Sequence, residues 1–78
     1  MKLPDAFEGP SADDVARAQC SPKQYEAALS RCFEVFEKHG VTPERAILFW
    51  DERNKFALTL TVRGRHGERE LYANTVIV

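Results

Sequence analysis

The chain is expected to fold as a small α+β domain: two N-terminal helices, the second long and amphipathic, packed on a three-stranded antiparallel β-meander in the order α-α-β-β-β. Three observations predict this. Residues 21–40 carry a helix start, an apolar stripe and a helix stop in sequence. Residues 55–63, KFALTLTVR, alternate apolar and polar side chains with the period of a half-buried strand. Two further β-rich runs, AILFWD and RELYANTVIV, flank that strand at hairpin distance.

Residues 1–10 hold two prolines and a glycine and read as an extended arm, with Leu3 and Phe7 its large apolar residues. Ser11 is placed to cap a short first helix over 12–19, and Asp13 and Asp14 suit its electropositive end. The second helix is better marked. Ser21 and Gln24 form a capping box, Pro22 takes the first helical position, and Cys20 and Tyr25 stand as a hydrophobic staple. Tyr25, Leu29, Cys32, Phe33 and Phe36 share one face, and Gly40 is placed to end the helix. Thr42 to Arg45 reads as a capped single turn leading into the first strand.

Strand register follows from matching inward positions. For the second hairpin, residue numbers summing to 133 oppose Val62 to Leu71, Leu60 to Ala73 and Phe56 to Ile77, with His66-Gly67 as a type I′ turn. The same register sets Arg65 against Glu68 and Arg63 against Glu70, leaving Arg69 without an acidic neighbour. For the first hairpin a sum of 107 puts Arg53-Asn54 in the turn and Trp50 opposite Ala57. Ile47 and Phe49 then face inward. Leu48, Trp50, Tyr72, Val76 and Val78 fall on or beside the outer face, where the arm or the first helix is expected to cover them.

Whole-chain properties narrow the function. The 78 residues make one domain, 1–78, with 44% apolar and 29% charged residues and a formal charge of −1. Such a charge supplies no global field toward nucleic acid or anionic lipid. Neither a signal peptide nor a membrane span is expected, and a cytoplasmic location is. Cys20 and Cys32 would stand about 18 Å apart along a helix, too far for a disulfide, and free thiols fit a reducing compartment.

Catalytic chemistry finds little support. His39 and His66 fall far apart, and the cysteines and histidines lack zinc-site spacing. No Gly-rich phosphate loop occurs. No enzyme, cofactor or metal is expected. The expected function is a small protein-binding module, a stand-alone inhibitor or regulator of the bacterial or phage kind. Leu48, Trp50, Tyr72, Val76 and Val78 are its candidate partner-binding residues. One alternative is a winged-helix-like nucleic-acid-binding domain using the second helix and a hairpin tip of Arg63, Arg65, His66 and Arg69. The acids interleaved with that helix's bases speak against it. The other is a homo-oligomer, a homodimer for instance, built through the C-terminal edge strand.

Overall fold

A computed structural model describes residues 4–77. Two helices, α1 (Ala12–Arg17) and α2 (Pro22–Lys38), precede three strands, β1 (Thr42–Asp51), β2 (Ala57–His66) and β3 (Arg69–Val76). The strands form one antiparallel sheet in the order β1-β2-β3, and this is the α+β fold expected.

The helix ends follow from local chemistry. Ser11 and Ser21 each accept a hydrogen bond from the backbone three residues on, and the cap amides in turn donate to the side-chain oxygens of Asp14 and Gln24. Both helices then stop in the same way. Gln19 and Gly40 take left-handed backbone conformations (φ 58° and 66°). The amides beyond them reach back, Cys20 to the Val15 carbonyl at 3.2 Å and Val41 to the Phe36 carbonyl at 2.8 Å. These are Schellman motifs, and the accompanying apolar contacts, Val15 with Cys20 and Phe36 with Val41, both lie in the core.

The main core joins the apolar face of α2 to the inner face of the sheet. Ala28, Leu29, Cys32 and Phe36 pack on Val41, Ala46, Leu60 and Val62. Tyr25 and Phe33, on the same expected stripe, are half-buried. A smaller cluster of Val15, Cys20 and Leu58 holds α1 against the sheet. Gly64 lets the layers close, since a Cβ there would stand 2.5 Å from Val41 Cγ1 and 2.7 Å from Phe36 Cε2.

Register departs from expectation in both hairpins. In the second, Leu60 opposes Thr75, Val62 opposes Ala73 and Arg65 opposes Glu70, two residues away from the expected pairing. A slip of two leaves every side chain on its expected face, so the hydrophobic pattern could not detect it. The turn moves to Gly67-Glu68. Gly67 has φ 63° and Glu68 does not share a positive φ, as in a II′ rather than a I′ hairpin.

In the first hairpin the change reverses a face. Thr42 and Pro43 pair with Arg65 and Gly64 on the expected sum, but Arg45 pairs with Arg63, so Glu44 is an extra, bulged residue. From there Leu48 opposes Leu60 and Trp50 opposes Leu58, while Ile47 and Phe49 oppose Thr61 and Thr59 on the outer face. Residues 42–45 are thus strand and bulge rather than a capped turn. The hairpin loop is also longer. It runs through a 3-10 turn, Glu52–Asn54, to Lys55 and Phe56, both in left-handed conformation, and Phe56 is exposed instead of facing Ile77.

The N-terminal arm lies along β1. The Glu8 amide donates to the Glu44 carbonyl at 3.0 Å, and the Ala46 amide donates to the Glu8 carbonyl at 2.8 Å. Phe7 meets Phe33 of α2 edge-to-face with ring centroids 5.4 Å apart. Among the described residues, the arm therefore covers an edge and a helix flank, not the outer face of the sheet. The position expected for Leu3 lies outside the described residues.

Candidate interaction surface

The outer face of the sheet is built in three rows by the observed register. Arg45, Arg63 and Tyr72 form one row, Ile47, Thr61 and Asn74 the middle one, and Phe49, Thr59 and Val76 the third. The Thr61 hydroxyl donates to Asn74 Oδ1 at the centre and ties β2 to β3. Among the described residues neither helix crosses this face, because α1, α2 and Phe7 all pack elsewhere. Ile47 is 47% and Tyr72 61% exposed, large values for apolar or aromatic side chains in mid-strand, and Phe49 and Val76 are exposed as well.

One end of the face is charged. Glu44, presented by the bulge, lies 3.7 Å from Arg63 Nε and accepts from Arg65 Nε at 3.4 Å. Arg63 Nε also lies 3.4 Å from Glu70 Oε1, on the diagonal, and the Tyr72 hydroxyl donates to the same carboxylate at 3.2 Å. Arg63 Nε is buried and makes no hydrogen bond to either carboxylate, so these contacts are of charge alone. These side chains are partly solvated, and each pair contributes at most about 1 kcal/mol. Their larger effect is to cancel the field of the two arginines.

Of the residues expected to bind a partner, Tyr72 and Val76 are on this face. Leu48 and Trp50 are not, since the bulge at Glu44 turns them toward the helices. Leu48, partly buried, packs against the core, and Trp50 borders a groove lined also by Asp14, Arg17 and Ala18. Val78 lies outside the described residues. Ile47 and Phe49 take the vacated positions. The signal for them was Pro43, which cannot sit in a regular central ladder and marks a bulge or an edge.

The basic residues of the hairpin do not form one surface. Arg63 and Arg65 are on the outer face among Glu44 and Glu70, whereas His66 and Arg69 oppose each other on the helix side. The His66 ring approaches Gly40 at the end of α2. Arg65 finds Glu44 rather than Glu68, because the turn has moved two residues.

Other groups that could carry chemistry are dispersed. Cys20 and Cys32 are free and buried. Burial pushes both thiols up, against a smaller downward pull from the Tyr25 amide on Cys20 and from Arg31 on Cys32. A raised thiol is mostly protonated and a poor nucleophile, so burial outweighs the pull of the α2 N-terminus on Cys20. Among the described residues no three His, Cys, Asp or Glu side chains converge as metal ligands, and no helix is long and apolar enough to cross a membrane. A concavity of about 690 Å³ opens between α2 and the start of β1, with Phe33, Glu34, Glu37, Val41 and Pro43 on its walls.

Comparison with protein families, with curated proteins and with solved structures returns no match for this chain.

Proposed function

We propose that the chain is a small, non-enzymatic protein-binding module that acts as an inhibitor or regulator by docking another protein on the outer face of its sheet. The observation that carries this reading is the apolar strip of Ile47, Phe49, Tyr72 and Val76, which no described segment covers. Small domains have little apolar surface to leave in water, and a half-apolar face with a polar centre and a charged rim matches the anatomy of protein interfaces. Tyr72 is the anchor of this surface, with the Thr61–Asn74 pair supplying orientation at its centre and the Arg63–Glu70 pair at its margin. Two buried free thiols fit a reducing compartment, and a cytoplasmic site of action goes with this reading.

The nucleic-acid reading has less support. Arg63 and Arg65 are engaged by carboxylates, and α2 commits its apolar face to the core. Affinity capture from host lysate, with and without nuclease, tests both readings. A protein retained by the wild-type chain and lost with an Ile47→Asp, Tyr72→Ala variant of unchanged fold is the expected result. Retention of the same protein by that variant refutes the outer-face reading.

A further inference from the structure

We propose that two copies of this chain pair antiparallel through the free edge of β3, joining their sheets into one six-stranded sheet. This inference does not rest on the outer-face reading. It stands on the unequal treatment of the two sheet edges. The β1 edge is occupied at Glu44 and Ala46 by the Glu8 bridge, and it carries Pro43 and a bulge. Both are devices that keep an edge from pairing. Farther along, Leu48 and Trp50 look across a groove onto α1. β3, RELYANTV, has no proline, no lysine and no register shift against β2, and no described segment lies along its far side.

Hydrogen-bond parity fixes which groups are available. The Ile77 amide donates to the Leu58 carbonyl, so by the period of two Leu71, Ala73 and Thr75 also face β2. Glu70, Tyr72, Asn74 and Val76 direct their amides and carbonyls to the open side. These are regularly spaced and form a complete half-ladder. A two-fold axis normal to the sheet matches them to the same residues of a second copy and keeps both outer faces on one side.

Charge narrows the register. Centring the pair on Ala73 opposes Tyr72 to Asn74 and Glu70 to Val76 of the second copy. Centring it on Arg69 or Glu70 would oppose that residue to its own like charge, which is destabilising. A net charge of −1 adds almost no repulsion between copies. One strand pair buries less than the roughly 1,200 Å² of a standard interface, so the dimer dissociates on dilution.

Sedimentation equilibrium of the isolated chain over a wide concentration range, combined with amide hydrogen exchange at both ends of that range, tests the proposal. The expected mass rises from one chain to two. The amides of Glu70, Tyr72, Asn74 and Val76 slow in step with it, while those of Leu71, Ala73 and Thr75 are slow throughout. Asn74→Pro removes an amide that faces the open edge and is expected to abolish the rise in mass with the circular dichroism unchanged. A chain that stays monomeric at every concentration overturns the proposal. So does a dimer whose Tyr72 and Asn74 amides exchange as freely as in the monomer. The wild-type exchange pattern decides the matter even if the proline variant fails to fold. No partner protein enters these measurements, so their outcome is separate from that of the lysate capture.

Discussion

Gly64 of β2 lies against the Phe36 ring of α2, so closely that a methyl group on its Cα would stand 2.7 Å from Phe36 Cε2. The same methyl would meet Val41 Cγ1 at 2.5 Å, and Val41 is the residue whose amide closes the end of α2. Helix stop and sheet surface are thus fitted to one another at a single residue without a side chain. Gly64→Ala is expected to cost about 1–3 kcal/mol by overpacking. Urea unfolding followed by circular dichroism measures this, and adding Phe36→Leu should recover part of the loss. Equal stability of Gly64→Ala and wild type would contradict the close contact.

Gln19 and Phe56 hold left-handed conformations that glycine adopts without strain. A left-handed turn costs an ordinary residue about 1–2 kcal/mol, partly offset by glycine's greater freedom in the unfolded chain. Gln19→Gly is therefore expected to raise stability by about 0.5 kcal/mol. Phe56 is 66% exposed and gives up little burial on substitution, so Phe56→Gly should do the same. Gly40→Ala, at the end of α2, should act in the opposite direction. Thermal melts of the three variants give the comparison.

The N-terminal arm contributes through Phe7, whose ring meets Phe33 edge-to-face. Phe7→Ala is expected to cost about 1–2 kcal/mol, less than a fully buried phenylalanine would. It should also quicken exchange of the Ala46 amide, which bonds to Glu8. An unchanged Ala46 exchange rate would show that the arm docks without Phe7.

Stability should fall at alkaline pH. Burial raises Cys20, Cys32 and Tyr25 above their ordinary values, so each stays protonated in the folded state at a pH where the unfolded chain already ionises. The unfolded state then binds fewer protons, and unfolding free energy declines as pH rises through the ordinary thiol range and on into that of tyrosine. Below that range the contribution is fully present. Urea midpoints at neutral and alkaline pH test this, and native thiols should react slowly with a disulfide reagent until denaturant is added.

On the outer face, Ile47→Asp is expected to change stability by about 0.5 kcal/mol or less, because the side chain touches solvent rather than core. The equivalent change at Leu48, which is partly buried against the core, should cost more, about 1–3 kcal/mol, by setting an unpaired charge beside apolar side chains. The sequence register predicts the reverse order for these two neighbours. Their measured stabilities read out the bulge at Glu44 directly.

Much of the fold could be read from local chemistry. Ser11, Ser21, Pro22 and Gly40 are cap residues whose effects depend on neighbours within a turn, and α2 begins and ends where they stand. The alternation of Leu58, Leu60 and Val62 likewise set one face of β2 inward, because that strand is polar on its other side. Fold class and element order follow from such short-range patterns.

The candidate surface needed more than this. AILFW is apolar at every position, so either face of β1 could turn inward and its own pattern could not choose. Tertiary contacts chose. A bulge at Glu44 accommodates Pro43, and the Glu8 backbone bonds on both sides of Arg45, turning Leu48 into the core and Ile47 outward. The second hairpin slipped by two for a related reason, since both registers turn the same face of β3 inward and the hydrophobic pattern does not separate them, while the turn at Gly67 does. What the sequence alone determined was where helices and strands form, because caps and periodicity act over a few residues. Which apolar side chains were left facing water was decided by strand pairing between residues far apart in the chain.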